Sequence, residues 1–179
     1  MWTDFKPALW FLGKFLAIYV IGNIAYGIYI RQQLPSPDSI TMLVSKQVAW
    51  LISKASMAVD AEESTKARVS LVEATSGRTV INVFEGCNGI NVMVVFAAFL
   101  VAYGGNSKRL VLFMLLGFVL IHIANLARLW LLFEQARAQS VYFYYFHKYL
   151  FTAFIYFFVV LLWIAWAWKL DGKPTTHSR

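Results

Sequence analysis

The run LVLFMLLGFVLIHIANLARLWLLF, residues 110–133, decides the fold. It holds no acidic side chain, and at about 1.5 Å rise per residue a helix built from it exceeds the ~30 Å hydrocarbon core of a bilayer. A tight basic link, Gly104-Gly105-Asn106-Ser107-Lys108-Arg109, joins it to an earlier apolar run at 90–103, so the two helices are expected to form a hairpin. That earlier run is short for a crossing unless its helix begins near Gly86 or Cys87, which predicts a span over 87–103 with Cys87 at a helix start. Apolar runs at 10–30, mildly interrupted by Lys14 and Asn23, and at 149–168 predict two more spans. The aromatic stretch Tyr142-Phe143-Tyr144-Tyr145-Phe146 before the last span suits a lipid interface. Residues 1–179 therefore read as a single membrane domain, an all-α integral membrane protein of about four transmembrane helices. Ala25-Tyr26-Gly27 faintly resembles a signal-peptidase site, but the apolar run continues through Ile30, which favours an uncleaved anchor.

Composition bounds the function classes. With 60% hydrophobic and 14% charged residues the chain departs from the balance of a soluble domain. Its net charge of +7 is scattered rather than gathered into a stripe with exposed aromatics, so the basic residues are read as flanking spans and nucleic-acid binding is excluded. One cysteine rules out an intrachain disulfide, a CxxC pair and a multi-cysteine metal site. His122, His147 and His177 lack the i, i+4 spacing of a helical metal pair, and neither metal nor cofactor is expected.

Charge also orients the spans. With both termini and the 104–109 link inside, Lys6, Lys14, Lys108, Arg109, Lys169, Lys173 and Arg179 face only Asp4 and Asp171 on that side. In the segment 31–85, Arg31, Lys46, Lys54, Lys66, Arg68 and Arg78 are balanced by Asp38, Asp60, Glu62, Glu63, Glu73 and Glu85, which predicts an extracytoplasmic insert. Within it, Pro35 and Pro37 bracket a turn, and Asp38 or Ser39 can cap a helix. Ile40, Val44, Val48, Leu51 and Ala55 recur at helical spacing, opposite Lys46, Gln47, Ser53 and Lys54. That pattern predicts an amphipathic helix lying on the membrane surface; an ordinary packing helix is the alternative. The β-branched stretches 67–73 and 78–84 flank Thr75-Ser76-Gly77 and predict a small β-hairpin that leads into Glu85-Gly86-Cys87.

Depth brings three groups together. Measured along the helices from the inner boundary, Cys87, Arg128 and His147 lie at roughly 25, 28 and 33 Å, close to the outer interface. A cysteine at a helix start beside a cation favours the thiolate nucleophile. His147 can exchange protons near neutral pH, and Arg128 can stabilise a thiolate or an oxyanion. Read alone, the same residues also fit a cysteine that fills space, an arginine that snorkels to the headgroups and a routine interface histidine. Glu85 can orient His147 or pair with Arg128, or simply complement the helix dipole. Asn125, one turn before Arg128, can fix local hydrogen bonds or act as interhelical glue. His122 reads as a packed neutral histidine, and Arg137 and His177 as solvated.

Glu85-Gly86-Cys87-Asn88-Gly89 followed by an apolar helix, then Asn125-Leu126-Ala127-Arg128, then His147 ahead of the last apolar run, resembles the exosortase and archaeosortase family over most of residues 84–168. The general pattern is most similar to its short, Bacteroidetes-type exosortases. The resemblance implies a bacterial inner-membrane cysteine transpeptidase or protease that cleaves the C-terminal sorting signals of exported proteins, each an apolar helix and basic tail, and transfers them to an acceptor. It implies Cys87 as nucleophile, with Arg128 and His147 as its partners, facing the extracytoplasmic side. Many relatives carry Ser after the cysteine where this chain has Asn88, which leaves subtype and signal open. The rival from another class is a non-catalytic membrane scaffold of an envelope assembly that binds partners through 31–85. A thiol oxidoreductase is disfavoured by the missing second cysteine.

Overall fold

The computed structural model describes residues 2–64, 67–139 and 151–170. His147, the aromatic stretch 142–146, the first residues of the last apolar run and the tail from Asp171 lie outside them. The described chain is mostly helical with one small antiparallel sheet. In order it runs α1 (Trp2–Gln33), α2 (Ser39–Ala55), β1 (Val59–Ser64), β2 (Arg68–Glu73), β3 (Arg78–Val83), a 3-10 turn (Glu85–Cys87), α3 (Ile90–Tyr103), α4 (Ser107–Arg137) and α5 (Phe151–Ala165), which closes in a π turn (Trp166–Leu170).

Two helices are long and apolar enough to cross a membrane, α1 from Phe5 onward and α4. The runs expected to complete four spans form shorter apolar helices. At 14 residues α3 extends about 21 Å, less than a ~30 Å hydrocarbon core. It is short because it does not begin at Cys87 as its sequence predicts. Gly89 stands at its N-cap in the left-handed region, φ 88°, and separates the cysteine turn from the helix.

The expected α3–α4 hairpin forms. Gly104, at φ 79°, ends α3, and the Asn106 side chain caps α4 by accepting the Arg109 N–H at 3.3 Å. Trp166 at the end of α5 donates its indole N–H to the Gly104 carbonyl at 3.2 Å, so three helices meet at this end. Above the link, Val92, Phe96, Leu100, Ile121, Ile155, Val159 and Trp166 form one apolar core.

A second core lies at the other end of α4. There Leu129, Leu132 and Phe133 pack with Val44, Val48 and Ile52 of α2 and with Leu71, Ile81 and Val83 of the sheet. α2 starts where Asp38 caps it, its carboxylate oxygen accepting the N–H groups of Ile40 and Thr41 at 3.1 and 2.9 Å. The helix exists as predicted; of its apolar stripe Val44 and Val48 are buried in this core, Ile40 and Leu51 half-buried and Ala55 exposed. Periodicity identifies a face and not what covers it. The burial also runs through Thr41, Ser45 and Ala49, leaving Leu43 and Trp50 exposed.

The predicted hairpin is β2–β3, turning through Gly77, with Glu73 opposite Arg78 and a bulge at Leu71/Val72. It gains a third strand, giving the order β1-β2-β3. β1 pairs antiparallel with β2, Val59 opposite Glu73 and Ser64 opposite Arg68. Its sequence, Val59-Asp60-Ala61-Glu62-Glu63-Ser64, lacks the β-branched alternation of its partners, and pairing rather than propensity makes it a strand.

Gly117 of α4 lies directly against α3, since a Cβ there would overlap the fully buried Phe96 ring. Gly117→Ala is expected to destabilise the helix pair by roughly 1–3 kcal/mol despite alanine's better helix propensity. Phe96→Leu should restore part of the loss. Thermal unfolding of the two variants in lipid nanodiscs checks this, and a stabilised Gly117→Ala protein would contradict the packing described.

Candidate active site

β3 delivers the cysteine. After Val83, a core residue, Phe84 remains extended at φ −129° and ψ 172°, and the chain then tightens into the 3-10 turn. The Cys87 N–H closes that turn on the Phe84 carbonyl at 2.7 Å. Cys87 is 4% exposed and belongs to the core shared by α2, the sheet and the end of α4.

Three elements then hold the turn. From α4, the Asn125 carboxamide donates to the Cys87 carbonyl at 2.9 Å. From α1, the Tyr26 hydroxyl donates to the Glu85 carbonyl at 3.5 Å. Asn88 supplies the rest: its amide donates to the Thr41 hydroxyl at 2.9 Å and to the Tyr26 hydroxyl, while its oxygen accepts the Ile90 N–H at 3.1 Å and so starts α3. Gly89 allows this approach, because a Cβ there would stand 3.3 Å from the Asn125 carboxamide carbon, on a backbone that side chains rarely adopt.

Arg128 sits one turn beyond Asn125 on α4. Its Nε is buried and makes no hydrogen bond among the described residues, and the same holds for the Asn125 Oδ1. A donor and an acceptor thus stand unpaired beside the cysteine turn, a costly arrangement in a closed core. Among the described residues Glu85 makes no ion pair with Arg128; the ion pair on this helix joins Arg137 to Glu134 at 3.3 Å.

Burial pushes the Cys87 thiol above its ordinary value, Arg128 and the Phe84 backbone oppose that, and Glu85 adds to it. The balance favours a protonated thiol at rest. A standing thiolate was expected from a helix-start position, and the reason for the difference is local: Cys87 lies in a buried turn ahead of Gly89, away from the first turn of α3.

Of the predicted site residues, Cys87, Asn125, Arg128 and Glu85 come together at this turn, and His147 lies outside the described residues. His122 is half-buried on α4, one turn before Asn125. Sequence reasoning missed Tyr26 and Thr41 and saw in Asp38 only a cap. The available signals were a tyrosine near the end of the first apolar run and a threonine on the otherwise apolar stripe of α2.

The arrangement defines a class, a largely helical chain whose one thiol is held in the apolar core of α2, the sheet and the end of α4, beside an arginine. Compared with known proteins, the chain matches no family model, no curated relative and no solved structure.

Because Cys87 is the only cysteine, alkylation by iodoacetamide followed by intact mass reports this thiol alone. The alkylation midpoint is expected above the ordinary thiol value, higher again in Arg128→Gln and lower in Glu85→Gln. A midpoint at or below the ordinary value in the unaltered chain would remove burial as the dominant influence.

Proposed function

We propose that this chain is a membrane-embedded cysteine transpeptidase or protease of the exosortase kind. Four helices, α1, α3, α4 and α5, form its bundle in a bacterial inner membrane, and residues 31–85 stand on the extracytoplasmic side. The observation that carries the reading is the Cys87 turn: the one thiol is held by Asn125, Tyr26 and Asn88 next to an Arg128 whose Nε makes no hydrogen bond among the described residues.

The chemistry follows from those groups. A base takes the Cys87 proton as the sulfur attacks the scissile carbonyl of an exported protein, and His147 is the proposed base. Arg128 stabilises the oxyanion. The peptide C–N bond then breaks, His147 returns the proton to the departing amine, and the released segment, an apolar helix with a basic tail, leaves a thioester on Cys87. An acceptor nucleophile attacks that thioester and regenerates the thiol. No metal or cofactor takes part. The resting neutral thiol suits this scheme, since deprotonation is then coupled to attack. The scaffold reading draws on a different observation, the exposed Leu43 and Trp50 on the outer face of α2.

Cys87→Ala is expected to abolish cleavage of an exported protein that ends in an apolar helix and basic tail, a loss of at least ~1,000-fold, and Arg128→Gln to cost about 100-fold or more. A hydroxylamine-sensitive adduct on Cys87 should accumulate when the acceptor is limiting. Normal processing by the Cys87→Ala chain in its own cells would leave the scaffold reading in place of the enzyme.

A further inference from the structure

The hydrogen bonds behind Asn88 reach well into the insert. The Asn88 amide has two protons, one given to Thr41 and one to Tyr26. Thr41 has a single hydroxyl proton, and it goes to the Asp38 carboxylate oxygen Oδ2. Asp38 Oδ1 is fixed in turn by the N–H groups of Ile40 and Thr41. Every proton in this chain is committed in one direction, from Asn88 through Thr41 to Asp38. Thr41 must therefore accept and donate at once, which serine can do and valine cannot.

Burial makes the arrangement more than a helix cap. Asp38, Thr41 and Asn88 are 4%, 0% and 1% exposed. Capping α2 needs only a carboxylate at the surface, where it stays solvated; burying that carboxylate adds a desolvation cost that capping does not require. What the burial achieves is an anchor for the residue that follows Cys87, while the Asn88 oxygen fixes the start of α3 and Tyr26 holds the same turn from α1. The peptide on the carboxyl side of the thiol is thus clamped between α1 and α2.

We infer that Thr41, anchored by Asp38, is a positioning residue for Cys87 that acts through Asn88, so that the first turn of α2 belongs to the thiol's machinery. The inference deepens the proposed thiol chemistry and rests on it. It gives residues 38–41 of the insert a role that neither scaffold binding nor signal recognition requires.

The test uses the full chain in lipid nanodiscs with iodoacetamide as probe and intact mass as readout across a pH series. Thr41→Val frees the turn, and alkylation of Cys87 at neutral pH is expected to rise about tenfold as local opening becomes easier, with a shifted pH profile. Thr41→Ser should restore most of the native rate. Val48→Ala, a cavity in the same core away from the network, controls for general loosening and should leave the rate near the native value when compared at equal distance below each variant's Tm. Where Thr41→Val does not fold, Tyr26→Phe serves, since it removes one Asn88 partner and the Glu85 carbonyl's donor and should give a smaller rise. Native rates in both Thr41→Val and Tyr26→Phe, or a rise in Val48→Ala equal to that in Thr41→Val, would overturn the assignment. Alkylation reads the turn whether or not turnover occurs, so continued processing by Cys87→Ala sinks the enzymatic reading separately.

Discussion

At Cys87 and Asn88, both buried, the polar backbone has little water to turn to, and its groups must be met by protein. Two partners come from far along the chain, Tyr26 for the Glu85 carbonyl and Asn125 for the Cys87 carbonyl, while the neighbouring Asn88 side chain meets the Ile90 N–H. Meeting that demand fixes the rotation of α1 and α4 about their axes, because each must turn one polar residue of an apolar stretch toward the same spot. It also draws the start of α2 against the turn through Thr41. The thiol's location follows from satisfying its own backbone.

The electrostatic state of the thiol follows from the same enclosure. Cys87 is shut away from solvent while Arg128 lies near enough to pull against that effect, and the outcome is a neutral sulfur with a cation close by. A thiol of that kind resists oxidation and stray alkylation, which act on the thiolate. Arg128 Nε makes no hydrogen bond among the described residues. Both groups keep unused bonding capacity where a closed structural core would have none.

What was legible in the sequence is what local chemistry dictates. Asp38 reads as a cap because its carboxylate meets two N–H groups within its own turn, and Gly104 through Asn106 reads as a hairpin link because glycine and asparagine end and begin helices. Thr75-Ser76-Gly77 reads as a turn for similar reasons. Counting helical rise brings Cys87, Arg128 and His147 to one level, and of these Cys87 and Arg128 lie together among the described residues. The rest depends on partners: Asp60-Ala61-Glu62-Glu63 becomes a strand only because β2 offers it an edge, and the stripe on α2 says nothing about which surface meets it. Thr41 and Tyr26 escaped notice because a hydroxyl on an apolar helix has no meaning until the atom opposite is known, and Cys87 was set on α3 because the break at Gly89 is a backbone property.

β1 has a consequence of its own. It is an outer strand of the sheet that packs against α2, and at its start the Ser53 hydroxyl of α2 donates to the Val59 carbonyl and accepts the Val59 N–H. Past that point an outer strand is a template on which a neighbouring molecule can add its own backbone. Asp60, Glu62 and Glu63 are exposed along it, on both faces of the strand, so two identical strands brought together repel one another. The residues that make β1 a poor strand by propensity are the ones that keep it from recruiting copies of itself into aggregates.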